Sequence, residues 1–214
     1  MKFTGRIYSV VFLAFFNVTL GIYIYKVVKI TFDTKILFIV FFFFVIAWVL
    51  GKKYDEVKFL SENDFLTKIH NRRSINRLFP IMSTKTIRNN EQLFVMVIDV
   101  DNFKKINDTY GHNQGDNVLK SLSKVLRANI RKVDLLARWG GDEFIILIPN
   151  TIRINEEDII NRFKQSISEL KNELNFEINV SIGSSLFPVD GKSLEELISV
   201  ADKRMYHIKE YKKT

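Results

Sequence analysis

The sequence contains no cysteine and only three histidines and three prolines among its 214 residues. The absence of cysteine excludes disulfide frameworks, thiolate zinc sites and cysteine nucleophiles, and it suits a reducing cytosol. The histidines lie far apart along the chain, so a histidine-rich metal site is not expected. The net charge is +8, from 32 Lys and Arg against 24 Asp and Glu, without a dense basic stripe. We therefore expect no nucleic-acid partner.

Two apolar runs occupy the first fifty residues. Residues 7–25 are uncharged over nineteen positions, close to the ~20 that a helix needs to cross a bilayer. A second uncharged run, residues 36–50, would reach only ~22 Å as a helix, but flanking lysines can extend to the headgroups. The alternative for the first run is a secretory signal peptide, although no small-residue cleavage site follows it. We predict a two-span transmembrane hairpin over residues 1–51, with spans at about 7–25 and 34–51.

The charges around these runs give a weak topology signal. Basic residues flank both outer ends of the hairpin, but three more lysines lie in its connection, so the bias towards both ends inside is small. The prediction is a multi-pass protein of the cytoplasmic (inner) membrane, with the domain that follows the hairpin in the cytoplasm. Residues 52–63 are polar with an uneven helical stripe and predict a helical linker. Residues 64–214 are enough for one soluble domain.

Apolar periodicity in this last region alternates between strand and helix. Strands are predicted at 93–100, 144–148 and 176–182, and helices at 117–131, 156–174 and 194–211. The order of these elements predicts an α/β domain with a central sheet flanked by helices.

Two acidic pairs stand at predicted strand ends. Asp99 and Asp101 end an apolar strand, while Asp142 and Glu143 follow a Gly-Gly pair in a predicted tight hairpin, where glycine suits an unusual φ. If the strands are neighbours, four carboxylates meet, and cations must offset their repulsion. Hard oxygen ligands suit Mg²⁺ or Mn²⁺ with a phosphate substrate, which predicts metal-assisted phosphoryl or nucleotidyl transfer. The alternative is that each pair consists of solvated turn residues.

Several ordered motifs accompany these acids. They are Asp64-Phe65-Leu66-Thr67, Asn71-Arg72-Arg73, Asp99-Val100-Asp101, Phe103-Lys104, Asn107-Asp108, Gly111-His112, Gly115-Asp116, Arg138-Trp139-Gly140-Gly141-Asp142-Glu143-Phe144, Ser181-Ile182-Gly183, Ala201-Asp202, Met205-Tyr206 and Lys209. With these motifs at these spacings, the region from Asp64 to about Lys213 resembles the GGDEF family of diguanylate cyclases.

The resemblance implies an α+β palm-like nucleotide-cyclase fold and an enzyme that condenses two GTP into cyclic di-GMP with release of pyrophosphate. It implies Mg²⁺, or alternatively Mn²⁺, as cofactor, and a homodimer, because each domain is half of an active site. One alternative is a catalytically inactive GGDEF domain that serves as a membrane-tethered receptor for GTP or cyclic di-GMP. Another is a membrane scaffold. The intact Asp99, Asp142 and Glu143 argue against the receptor, and a scaffold would leave the retained carboxylates and Asn107 unexplained.

By resemblance, Asp99, the carbonyl of Val100 and Asp142 hold the metal ions, and Glu143 assists the metals or the deprotonation of the ribose 3′-hydroxyl. The choice of a single general base between Asp142 and Glu143 stays open, because coupled carboxylates share their protons. The two glycines of the turn let the backbone approach the phosphates. The catalytic residues implied are Asp142, Glu143, Gly140 and Gly141.

Asn107 and Asp116 match the guanine-reading positions of the family and would select GTP over ATP, with helix capping as the alternative. Further residues match positions that bind the rest of the nucleotide: Phe103, Lys104, His112, Lys209 and Lys213. Lys213 replaces an arginine of the family pattern and lacks its planar, two-pronged geometry.

Arg131 and Asp134 match the inhibitory site at which the family binds its own product. The alternative for this pair is a surface ion pair between residues three apart. Product inhibition is therefore implied. Lys68 is a departure from the family, which usually has glycine at this position, and the replacement could alter the turn that follows the linker.

Overall fold

The computed structural model describes residues 4–23, 25–26, 34–150 and 155–211, without the side chains of residues 34–37, 150 and 207–211. The chain divides into two compact units between Ser61 and Glu62. The first unit contains two long helices, and the second contains a sheet with its helices.

The first unit is built from α1 (Thr4–Tyr23) and most of α2 (Thr34–Glu62). Among the described helices, only α1 is long and apolar enough to cross a membrane, judged by length and composition. The second predicted span is therefore not confirmed. Helix α2 continues without a break through the residues assigned to that span and to the linker, so the linker is not a separate element.

Polar contacts join the start of α1 to the second half of α2. The Asp55 carboxylate is buried and accepts hydrogen bonds from the backbone N–H of Gly5, at 2.7 Å, and of Arg6, at 3.3 Å. One turn further along α1, the Ser9 hydroxyl donates to the carbonyl of Ala47 at 3.0 Å. Since positions rise along α1 as they fall along α2, the two helices are antiparallel.

Within its described residues, the second unit holds a five-stranded sheet and six further helices. Its elements are β1 (His70–Asn71), α3 (Arg72–Arg88), β2 (Gln92–Val100), α4 (Phe103–Tyr110), α5 (His112–Ala128), β3 (Leu135–Arg138), β4 (Glu143–Asn150), α6 (Glu156–Ser168), α7 (Lys171–Leu174), β5 (Val180–Phe187) and α8 (Leu194–Tyr211). The strand order is β1-β3-β4-β2-β5, with β2 antiparallel to both β4 and β5 and β1 parallel to β3. The predicted mixed α/β fold, a central sheet flanked by helices, is confirmed.

Central strand β2 is covered on both faces. Met96 belongs to the core shared with α5 and α6, whereas Val95 belongs to the core shared with α3 and α8. A strand buried on both faces needs apolar side chains in both directions. This requirement explains the nearly unbroken apolar run from Leu93 to Val100, and it places the strand end at Asp99 between the two helical layers.

Several predicted boundaries are wrong. The strand predicted at 176–182 lies at Val180–Phe187, because Phe176 and Ile178 enter the core from the segment before the strand. The helix predicted at 117–131 begins earlier, as α5, and the one predicted at 156–174 is divided into α6 and α7. Helices α3 and α4 were not predicted, whereas α8 has the predicted bounds.

Candidate active site

The two acidic segments meet at the ends of neighbouring strands. Asp99, near the end of β2, is paired in register with Glu143, the first residue of β4. The backbone N–H of Val100 donates to the carbonyl of Asp142 at 3.3 Å. The expected proximity of the two acidic segments is confirmed, and it follows from the antiparallel pairing of β2 with β4.

The turn between β3 and β4 carries the signature glycines. It is closed by a 2.8 Å hydrogen bond from the backbone N–H of Trp139 to the carbonyl of Glu143. The expectation of an unusual φ is wrong, since neither Gly140 nor Gly141 adopts a left-handed φ. A Cβ on Gly140 would instead lie 2.7 Å from Oε2 of Glu143, whereas the space around Gly141 is open. Room for a carboxylate, rather than backbone freedom, therefore favours glycine at position 140.

Arg138 holds this turn from the preceding strand. Its Nη2 and Nε donate to the carbonyl of Gly141, at 2.6 and 3.1 Å, and its Nη1 donates to Oδ1 of Asp64 at 3.1 Å. The same Asp64 oxygen accepts from the backbone N–H and the hydroxyl of Thr67, at 2.8 and 2.7 Å. One arginine thus ties the first turn of the second unit to the signature turn.

The charge state of Asp64 follows from these contacts. Burial raises the pKa of Asp64, but the hydrogen bonds from Thr67 and the guanidinium of Arg138 together outweigh burial and bring the pKa below its ordinary value. Asp64 is therefore ionised at neutral pH and forms a charge-assisted pair with Arg138.

Asn107 and Asp116 lie on consecutive helices after β2. Asn107 is within α4 and Asp116 is within α5. Neither is an N-cap, so the helix-capping alternative is wrong for both. Of the other predicted nucleotide-site residues on these helices, Phe103 is half-buried, and Lys104 and His112 are exposed.

A side-chain contact from β5 fixes the segment between β2 and α4. Asp101 accepts a 2.6 Å hydrogen bond from the Ser181 hydroxyl, and its backbone N–H donates to the carbonyl of Asn179 at 2.9 Å. The next residue, Asn102, adopts a left-handed φ of 57° immediately before α4. These contacts orient the start of α4, and through it Asn107, relative to the strand end at Asp99.

Arg131 and Asp134 form a tight pair before β3. Arg131 Nη2 lies 2.9 Å from Asp134 Oδ1, and the Arg131 backbone N–H donates to Oδ2 at 2.7 Å. Arg131 Nη2 also donates to the carbonyl of Pro149 at 2.6 Å. The Asp134 side chain is 3% exposed and that of Arg131 is 39% exposed. The ion-pair alternative is therefore present in the structure, and product binding stays a prediction.

The two predicted triphosphate lysines are not placed relative to this site. Lys209 belongs to the last turn of α8, but its side chain is not among those described. Lys213 lies outside the described residues.

The carboxylates at the strand ends provide some, but not all, of the ligands that a hard cation needs. In the described part of the chain, no three His, Asp or Glu side chains form a ready cluster of metal ligands. Mg²⁺, however, is commonly held by one or two carboxylates, with water and substrate phosphates completing its shell. Asp99 and Asp142 on adjacent segments provide such a pair, and Mg²⁺ binding stays a prediction.

Sequence reasoning gave no role to Arg138, Asp64, Ser181 or Gly115. Asp64 carries a local signal, because an aspartate three residues before a threonine can accept hydrogen bonds from the backbone of its own turn. The pairing of Asp64 with Arg138 spans 74 residues, and no local pattern indicates it. Ser181 is likewise 80 residues from Asp101.

The model of the family described as "Diguanylate cyclase, GGDEF domain" matches residues 61–214. Among curated proteins, the bifunctional diguanylate cyclase/cyclic di-GMP phosphodiesterase MucR of Pseudomonas aeruginosa is 36% identical over 170 residues. The match covers 78% of this chain and 24% of MucR. The chain spans about a quarter to a third of the length of the first curated relatives that it matches.

Solved structures agree with this match. The GGDEF domain of PA1120 (TpbB or YfiN) from Pseudomonas aeruginosa superposes with a TM-score of 0.64 at 32% identity, covering 70% of this chain and 89% of that chain. A microbial GGDEF domain described by its interaction with cyclic di-GMP gives a TM-score of 0.60 at 33% identity, covering 72% of this chain and 93% of its own.

Proposed function

Since this chain belongs to the family of GGDEF diguanylate cyclase domains, we propose that it condenses two GTP molecules into cyclic di-GMP. The observation that carries the proposal is the register pairing of Asp99 with Glu143, which brings two acidic segments to one end of the sheet. Such a cluster serves a reaction in which the substrate carries phosphate charge and a cation offsets it.

Each step forms one phosphodiester bond. The 3′-oxygen of one GTP attacks the α-phosphorus of the other, the bond from that phosphorus to the pyrophosphate oxygen breaks, and pyrophosphate leaves. A second, equivalent step closes the ring, so two GTP give one cyclic di-GMP and two pyrophosphates. Mg²⁺, when bound, offsets the phosphate charge. Asp99, Asp142 and the Val100 carbonyl would hold it.

The chain's own residues then orient the nucleotide and move the proton. Glu143, or Asp142, accepts the proton of the 3′-hydroxyl as the oxygen attacks. The open space at Gly141 admits the phosphates, and Arg138 fixes the backbone there by donating two hydrogen bonds to the carbonyl of that glycine. Asn107 and Asp116 pair with the guanine edge, because a carboxylate accepts from guanine N1–H and N2–H and an amide can both donate and accept.

A dimer follows from this chemistry, since one domain offers one nucleotide site and the reaction joins two nucleotides. The antiparallel contact of α1 with α2 favours a hairpin whose two ends lie on the same side of a membrane. Gly5 near the start of α1 contacts Asp55, beyond the apolar part of α2. We therefore retain a membrane anchor in the cytoplasmic membrane, with the cyclase domain in the cytoplasm, as part of the proposal.

Feedback by the product rests on Arg131 and Asp134. The Arg131 guanidinium is the more exposed partner, and its planar fork suits a phosphodiester. Arg131→Ala should therefore abolish binding of cyclic di-GMP at this site. Asp134 would keep its hydrogen bond from the backbone of residue 131, so the turn should survive the substitution.

The activity is tested on the full chain, purified in detergent and incubated with GTP and Mg²⁺, with cyclic di-GMP measured by mass spectrometry. Asp142→Ala and Glu143→Ala should each lower the rate by a factor on the order of 10² or more, because charge stabilisation and proton transfer are both lost. Glu177→Ala is a matched control, since this carboxylate is exposed and pairs with Lys171. If the wild type forms no more cyclic di-GMP than these two inactive variants, even when the chain is fused to a dimerising helix, the proposed cyclase activity is rejected. Retained cyclic di-GMP binding would then favour the receptor.

A further inference from the structure

A glycine of α5 faces side chains of α4. Gly115 is buried in the first turns of α5. A Cβ built on it would overlap Oδ1 of Asn107 and would lie 3.0 Å from Cγ of that residue. The next neighbour would be Cζ of Phe103, at 3.3 Å. The space that a side chain at position 115 would occupy is therefore filled by Asn107.

The backbone does not require glycine at this position. Gly115 lies inside a helix and has no left-handed φ. Glycine in a helix interior costs about 0.5–1 kcal/mol relative to alanine. Alanine would thus favour the helix, and the reason for glycine must be the space beside it.

We propose that Gly115 is a positioning residue that sets base specificity, because its missing side chain seats the Asn107 amide against α5. The proposal rests on the proposed function, in which Asn107 and Asp116 read guanine. Asp116 is the next residue of the same helix, so seating Asn107 on Gly115 fixes the spacing between the amide and the carboxylate. A methyl group at position 115 would move the amide and leave the carboxylate in place.

The alternative is that Gly115 serves only the packing of α4 on α5. In that case a larger side chain would lower the stability of the protein and would weaken the binding of every nucleotide to the same extent. The three atoms nearest to such a Cβ belong to the side chains of Asn107 and Phe103. Asn107 can therefore swing aside while the helices stay in place, so specificity should change more than stability.

The test compares Gly115→Ala, Asn107→Ala and the double variant in the full chain. Direct binding of GTP and ATP is measured without turnover, together with KM and kcat for GTP. Ser123→Ala is the matched control, because Ser123 is a small buried residue of the same helix whose hydroxyl bonds only to the carbonyl of Lys120 among the contacts described.

We expect Gly115→Ala to weaken the binding of GTP about tenfold, which is the equivalent of one hydrogen bond. The binding of ATP should be unchanged. KM should rise more than kcat falls, and the melting temperature should not decrease. Because Gly115 acts through Asn107, the double variant should lose no more GTP affinity than Asn107→Ala. If Gly115→Ala fails to fold, the double variant, which removes the clash, should fold and bind as Asn107→Ala does.

Three outcomes would overturn the inference: equal losses for GTP and ATP, additive losses in the double variant, or a double variant that also fails to fold. Wild-type protein that does not prefer GTP over ATP would overturn it as well. Wild-type protein that prefers GTP without making cyclic di-GMP would reject the proposed activity alone, and the role of Gly115 would still be decided by binding.

Discussion

Replacing Asp64 by alanine should destabilise the second unit by about 3 kcal/mol. The Asp64 and Arg138 side chains are only 15% and 14% exposed, and removing one partner of a largely buried ion pair costs about 3–5 kcal/mol. The lower end of this range applies because Arg138 would keep its hydrogen bonds to the carbonyl of Gly141. The backbone N–H and the hydroxyl of Thr67 would lose their shared acceptor.

Thermal unfolding of the full chain, followed by circular dichroism, measures this loss. For a unit of this size, about 1 kcal/mol shifts the melting temperature by roughly 2–4 °C, so Asp64→Ala should lower it by about 6–12 °C. Arg77→Ala is the control, because the Arg77–Glu62 pair is as short, at 2.8 Å, but its arginine is 53% exposed. Exposed pairs contribute at most about 1 kcal/mol. Equal shifts for the two variants would refute the reasoning.

The pH dependence of stability tests the same interaction between Asp64 and Arg138. The folded pKa of Asp64 lies below its ordinary value of 3.8, so the stabilisation is complete above that value and is lost as the pH falls through the folded pKa. Asp64→Asn keeps an acceptor and removes the charge. The free energy of unfolding of Asp64→Asn should be lower than that of wild type by a constant amount near neutral pH, and the difference should disappear in strong acid.

Two further predictions concern a histidine and the helical hairpin. Burial lowers the pKa of His70 below 6.5, so wild type should lose stability as the pH falls below about 6.5, and thermal melts of His70→Gln should show a flatter pH profile; identical profiles would contradict this. Asp55→Ala should weaken the start of α1 by about 1 kcal/mol and slow disulfide formation between Ser9→Cys and Ala47→Cys in this cysteine-free chain. Replacing exposed Glu56 by alanine should not slow it, and an equal effect of both would contradict the role of Asp55.

The elements that sequence predicts well are those whose burial leaves a simple pattern. Strand β2 can be recognised in the sequence as an apolar run, because helices cover both of its faces. Helix α3 cannot be recognised in this way, since three of its five buried residues are the polar Ser74, Ser83 and Thr86, and Pro80 lies within it. Helix α4 has eight residues and a single buried one, Ile106, which is too little for a helical period. Apolar periodicity therefore misses the helix that carries Asn107.

The parts of the site that depend on residue type could be predicted from the sequence. The contacts between residues far apart along the chain could not. Acidic residues after apolar strands indicate a cation site, and the pairing of β2 with β4 brings them together. The contacts of Arg138 with Asp64 and of Gly115 with Asn107 arise only when separate elements meet. The signature turn differs, because the Glu143 carboxylate that favours glycine at position 140 is only three residues away, and its side-chain conformation is what the sequence leaves open.

Lys68 shows how the turn after the linker tolerates its departure from the family pattern. Its φ is 60°, a left-handed conformation that costs an L-residue roughly 1–2 kcal/mol and glycine almost nothing. The turn is nonetheless closed by hydrogen bonds from Lys68 N–H to the Asp64 carbonyl, at 3.0 Å, and from Asp64 N–H to the Ile69 carbonyl, at 2.8 Å. Because the Asp64 carboxylate also binds Thr67 and Arg138, these contacts can offset the strain. The lysine therefore costs stability relative to glycine, while the turn is closed and is linked to the carbonyl of Gly141 through Arg138.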